Sequence, residues 1–243
     1  MRRRARLLAR RLRPSFRRDL EDPSAPLSMD LDGDSGTLLI AFGGMAGELG
    51  MPPFEFFKAT GGIPVKRLFV RDLHQAWYHR GIPGHGATIE DMAAALGALV
   101  AASDVDRLVV AGNSAGGYAA LLFGTLLRAE VALCFAPQTV LDLEILGEMG
   151  DHRWDDQIRA LRSSGYLKER WIDLGNALQP ASTGQTSYQV YFDASFAFDR
   201  LHVERLAELP GIQLHSREGG EHDVARAMRE SGELDRVLQG ALS

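Results

Sequence analysis

Short apolar runs recur along this chain, separated by stretches with helical spacing. Residues 37–42 read Thr-Leu-Leu-Ile-Ala-Phe with no polar alternation. That is the pattern of a strand buried on both faces. Apolar runs also lie at 107–111 and 131–135, and further strands are expected at 65–70, 187–192 and 211–215. Between them, Thr88 reads as the cap of a helix continued by Glu90, Met92, Ala93, Leu96 and Leu99. A helix of small residues runs through Tyr118-Ala119-Ala120-Leu121-Leu122-Phe123, and helical spacing returns at 201–206 and 224–238. Strands alternating with helices in this way predict an α/β fold, a mostly parallel sheet with helices on both faces. Residues 140–185 break the rhythm. They hold Trp154, Tyr166, Trp171, two helical stretches and a loop from Pro180, and are expected to leave the sheet as a small cap.

Composition narrows the class. The chain has 243 residues, 45% hydrophobic and 24% charged, enough for one globular domain with a sizeable core. The expected organisation is an arm at 1–23 and a single domain at 24–243. The net charge of −5 is unevenly placed: nine arginines, between Arg2 and Arg18, fall in the first 18 residues with no acid among them. Leu7, Leu8, Leu12 and Phe16 recur there at near-helical spacing. One reading is a basic amphipathic helix making weak contact with a membrane surface. The other is a solvated, frayed arm, and Pro14 limits any helix. Nucleic-acid binding is not expected as the main function, because the rest of the chain is acidic and would repel phosphates.

Other classes fall away. Cys134 is the single cysteine, so neither an internal disulfide nor a cysteine metal cluster is expected. It lies inside the run 131–135 and reads as a core residue. No stretch approaches the roughly 18 apolar residues of a membrane span. Arginines interrupt the first leucines, so no secretory signal is expected and the cytoplasm is the expected location. Residues 30–36 superficially resemble a calcium loop, but Ala41 stands where a glutamate ligand is needed. A turn entering a strand explains them better.

The chemistry concentrates at residues 107–117, Arg-Leu-Val-Val-Ala-Gly-Asn-Ser-Ala-Gly-Gly. An apolar strand runs into Gly112-Asn113-Ser114-Ala115-Gly116, and a helix follows at once. This is G-x-S-x-G in a strand–turn–helix setting. The turn holds Ser114 in strained backbone with its hydroxyl exposed, at a helix N-terminus that favours developing negative charge. Gly112 and Gly116 are expected to be small because a Cβ at either would crowd the turn. No Gly-Lys-Ser/Thr follows and no G-x-G-x-x-G spacing is present, so neither nucleotide loop applies.

The chain resembles the α/β-hydrolase superfamily over roughly residues 35–243, with the elbow at Ser114 as the main point of likeness. The resemblance implies the chain order Ser, then Asp or Glu, then His. His222, in the loop Gly219-Gly220-Glu221-His222-Asp223 after the last strand, meets it. Two aspartates follow the strand ending near Phe192: Asp193 and Asp199. Asp199 is favoured as the acid because a loop can lift it toward His222, with Asp193 as the alternative. The family's usual spacing would fall at Phe196, a departure. The resemblance also implies an oxyanion hole from the Ala115 N–H and one N–H of Gly44 or Met45, in a loop that resembles the family's His-Gly-x loops with Phe42 in place of histidine.

The implied activity is that of a serine hydrolase acting on a small-molecule carboxylic ester or thioester through an acyl-enzyme, with no metal or organic cofactor. The alternatives are an acyltransferase that excludes water and a non-catalytic interaction module on the same fold. The aromatic stretch Met51–Phe57, with Trp77, Tyr78 and Trp154, is a candidate acyl pocket or ordinary packing. Arg71, Asp72 and His79 are candidates for reading a polar head group.

Overall fold

A computed structural model describes residues 22, 24–45, 56–179 and 185–243. The arginines at 2–18 and the stretch 51–55 lie outside the described residues. Seven strands form one sheet: β1 (Leu27–Asp30), β2 (Thr37–Phe42), β3 (Lys66–Val70), β4 (Arg107–Asn113), β5 (Val131–Phe135), β6 (Ser187–Asp193) and β7 (Ile212–Arg217), in the order β1-β3-β2-β4-β5-β6-β7. Every pair is parallel except β1 with β3.

Continuous apolar runs produce the central strands of this sheet, where successive side chains enter opposite cores. Leu38, Ile40 and Phe42 of β2 pack with Leu108 and Val110 of β4 on one face. Leu39 and Ala41 pack with Val109 and Ala111 on the other. The first face carries α1 (Ile89–Ala102), α2 (Ala115–Leu126) and α6 (Ala197–Glu204); the second carries α7 (Val224–Glu230) and α8 (Glu233–Leu242). Thr88 caps α1, its hydroxyl accepting the Asp91 N–H.

The structure corrects several sequence-based boundaries. The expected closing helix 224–238 is two helices, broken at Gly232 with φ of 73°. The helix expected at 201–206 begins at Ala197, and the last strand runs on to Arg217. Strand β1 was not anticipated: Leu-Ser-Met-Asp is four residues long with two polar positions, too short to stand out as an apolar run.

Between β5 and β6 the chain leaves the sheet. It forms α3 (Leu143–Met149), α4 (Asp155–Ser163), a single turn at Glu169–Trp171 and α5 (Leu174–Ala177). Trp154, Ile158, Leu161 and Trp171 bury the apolar side of this segment. Polar ties fix it to the body. The Trp171 indole N–H donates to Glu90 of α1 at 3.0 Å. The Lys168 N–H donates to His79 Nδ1, so that imidazole carries its proton on Nε2 and donates to the Tyr118 hydroxyl at 3.0 Å. The Tyr118 hydroxyl of α2 donates in turn to the Trp171 carbonyl at 2.6 Å. Among the described residues, no helix is long and apolar enough to cross a membrane.

Candidate active site

Strand β4 delivers Ser114 to the carboxyl edge of the sheet. Its backbone lies at φ 55°, ψ −118°, a region non-glycine residues rarely occupy. The turn is tight enough to dictate its neighbours. A Cβ on Gly112 would stand 1.9 Å from the Gly116 carbonyl oxygen, and a Cβ on Gly116 would stand 2.3 Å from that of Phe42. Only hydrogen fits at either place. The Ser114 N–H donates to the Phe135 carbonyl of β5 at 2.9 Å, bracing the strained residue from behind.

Ser114 stands at the N-cap of α2, but its hydroxyl does not cap the helix. It lies 2.8 Å from His222 Nε2 instead. His222 sits on a single helical turn, Glu221–Asp223, entered after β7 through Gly220 (φ 108°) and Glu221 (φ 48°). Its Nδ1 lies 2.8 and 2.9 Å from the two carboxylate oxygens of Asp199. Asp199 occupies the first turn of α6 and is buried. It lies at the start of that helix, as the sequence suggests, just past the three residues that follow β6. An imidazole with both nitrogens engaged in this order has its proton on Nδ1 and offers the Nε2 lone pair to the serine.

Asp193 is elsewhere. It accepts the Ser195 N–H at 2.9 Å, the Ser195 hydroxyl at 2.7 Å and the Glu221 N–H at 2.9 Å. Burial works to raise its carboxyl, but these hydrogen bonds outweigh it and hold Asp193 below the usual carboxylate value. Its place is under the loop that carries His222, one residue away from the imidazole.

The loop of Gly43, Gly44 and Met45 continues β2, which pairs directly with β4. The Gly43 N–H donates to Val70 and its carbonyl accepts the Tyr78 hydroxyl, both at 2.8 Å. Because Gly116 has no Cβ, the start of α2 lies against Phe42 and Gly43. That contact brings the Ala115 end of α2 beside the Gly43–Met45 loop.

Three of the residues considered for head-group or pocket roles serve packing. Asp72 accepts the backbone N–H groups of His74, Ala76 and Tyr78, organising the turn that follows β3. Burial raises its carboxyl in spite of those bonds. His79 is buried in the chain to Tyr118, and burial lowers it to about 4. Phe56 packs on Phe135, ring centroids 5.5 Å apart, in the core beneath α7. Arg71 donates to the Asp22 carbonyl at 2.9 Å. Trp77 is buried in the core; its indole N–H donates to Gln138 Oε1 at 2.6 Å, and the Gln138 N–H reaches the Ser114 carbonyl at 3.4 Å.

A second polar cluster backs Asp199. Arg153, just before α4, has Nη1 and Nη2 each 3.5 Å from Asp199 Oδ1. Its Nε and Nη2 donate to Asp151 at 2.8 and 2.7 Å. Asp151 also lies 3.3 Å from His202 Nε2. Sequence reasoning missed this cluster, since Asp151 and Arg153 fall in the irregular stretch and carry no motif. Among the described residues, no group of His, Cys, Asp and Glu could hold a metal ion.

Solved structures resemble this chain in fold. The capsule O-acetyltransferase of Neisseria meningitidis serogroup A matches with a TM-score of 0.65 at 14% identity, over 88% of this chain and 90% of that one. A lipase-esterase related protein from Clostridium acetobutylicum matches with a TM-score of 0.57 at 12% identity, over 88% and 98%. MenH from S. aureus matches with 0.55 at 13% identity, over 89% and 97%. No protein-family model and no curated protein sequence matches. At these identities the likeness is one of architecture, shared with hydrolases and an acetyltransferase alike. With its seven-stranded, mostly parallel sheet flanked by helices, the chain has an α/β-hydrolase-like fold.

Proposed function

We propose that the protein is a serine hydrolase that cleaves a carboxylic ester or thioester through a covalent acyl-enzyme on Ser114. The observation that carries this reading is the hydrogen-bonded row from Ser114 Oγ through His222 to Asp199, starting from a strained turn.

Ser114 Oγ attacks the acyl carbonyl while its proton passes to His222 Nε2. Asp199 accepts the hydrogen bond of the His222 Nδ1–H and stabilises the imidazolium. The alkoxide that forms is met by the Ala115 N–H and by an N–H of Gly44 or Met45. His222 returns the proton to the departing alcohol or thiol, leaving the acyl group on Ser114. Water, deprotonated by His222, then attacks the acyl-enzyme and releases the carboxylic acid, restoring Ser114.

A second reading is transfer of the acyl group to a hydroxyl acceptor. The acyl-enzyme is the same, with an alcohol in place of water. The likeness to the capsule O-acetyltransferase favours it, and one structure of that protein is a complex with CoA.

The test is labelling by a fluorophosphonate probe, followed by turnover of short activated esters. Wild type is expected to label and turn over, with Ser114→Ala silent in both. Adding a polyol acceptor then separates the readings, since transfer yields acylated polyol and hydrolysis yields free acid. A folded wild-type protein that neither labels nor turns over would sink the catalytic reading and leave an interaction module.

A further inference from the structure

Asp199 has more partners than the orientation of His222 requires. Its Oδ1 meets His222 Nδ1 at 2.8 Å on one side and both Nη atoms of Arg153 at 3.5 Å on the other. Arg153 belongs to the segment inserted between β5 and β6, not to any element carrying Ser114, His222 or Asp199.

The guanidinium is fixed in place. It forms a two-pronged bond to the fully buried Asp151, the geometry that gives arginine its directional hold on a carboxylate. Its Cζ lies 5.3 Å from the ring centroid of Phe196 and 5.1 Å from that of Phe198, the residues leading into Asp199. Asp151 is held in turn by His202. The Thr139 N–H donates to His202 Nδ1 at 3.2 Å, so that imidazole is neutral and its Nε2–H faces Asp151 at 3.3 Å. A lone cation beside Asp199 would oppose the imidazolium on His222. Here two carboxylates share one arginine, so a negative charge remains to stabilise it.

We propose that Arg153 is a positioning residue that holds the Asp199 carboxylate toward His222, making the Ser114–His222–Asp199 geometry depend on docking of the inserted segment. The proposal rests on the catalytic reading of those three residues.

The test uses the full chain and two readouts. The first is the far-downfield proton resonance of His222 Nδ1, which persists only while Asp199 shields it from exchange. The second is the labelling rate at saturating fluorophosphonate. Arg153→Met is expected to lose the resonance and to label about 10-fold more slowly, with the half-saturating probe concentration unchanged. Arg153→Lys should recover part of both. Arg159→Met, which removes an exposed arginine on α4 paired with Asp155 at 3.1 Å, should match wild type. Should Arg153→Met fail to unfold cooperatively, Asp151→Asn takes its place, leaving the arginine charged but its fork loosened. A wild-type resonance and rate in Arg153→Met overturns the proposal, as do equal losses in Arg159→Met. Absence of labelling in wild type defeats the catalytic reading instead, and the resonance then decides alone whether Arg153 holds Asp199.

Discussion

Ser114, only 4% exposed rather than open at the sheet edge as its motif predicts, owes its tight turn to two hydrogens. At Gly112 and Gly116 any side chain would enter neighbouring backbone, at 1.9 and 2.3 Å, and backbone cannot yield as a flexible side-chain tip can. Gly116→Ala should therefore lower stability by about 3 kcal/mol and displace the elbow, seen as a lower Tm together with lost labelling. The two aspartates should separate cleanly. Asp199→Asn keeps the fold but should cut labelling by roughly 10³- to 10⁴-fold, because an amide favours the wrong imidazole tautomer. Asp193→Asn weakens acceptors used by Ser195 and Glu221, so its main effect should be a loss of about 1–3 kcal/mol in urea unfolding. The opposite pattern would return the acid role to Asp193. That ambiguity could not be removed from sequence: both residues follow β6 closely, and both residue types suit caps and turns.

At the scale of elements, short sequence signals marked six of the seven strands, most clearly β2, β4 and β5, where burial on both faces leaves little room for polar positions. They missed β1, whose Ser28 and Asp30 interrupt it and whose pairing to β3 supplies the order. The closing helix was legible as amphipathic spacing, but its break at Gly232 was not, since the spacing resumes almost in phase beyond it. Gly232→Ala should cost about 1 kcal/mol in thermal unfolding, because alanine resists φ of 73°. The inserted segment announced itself only as a loss of rhythm. Its helices are docked by long-range pairs such as Trp171 with Glu90 and Lys168 with His79, which no local window contains.

For the whole molecule, buried histidines set the response to acid. Burial lowers His79 from 6.5 to about 4 and also lowers His202, against the pull of Asp151. Both are neutral in the folded state and take up protons more readily when unfolded. Their contribution to stability is full above pH 6.5 and drains away as pH falls, for His79 down to about 4. The His79 part amounts to about 3 kcal/mol. Asp72, raised by burial, works in the opposite sense near its own range. Urea unfolding should accordingly show stability falling between pH 6.5 and 4, and His79→Gln should flatten that slope. An unchanged slope would mean that His79 is not held neutral in the fold.

The sequence alone determined the sheet-and-helix class, the strand–turn–helix setting of Ser114 and the loop position of His222. Each is written in short-range signals: apolar runs, glycines where a Cβ would collide, a turn after a strand. Tertiary structure decided which aspartate reaches His222, where β1 pairs, and that Arg153 from the inserted segment stands behind Asp199. These depend on contacts between residues far apart in the chain, such as Asp199 with His222 and Arg153 with Asp199. Such contacts are fixed by how elements pack and by which buried charges must be paired, and local sequence pattern carries neither.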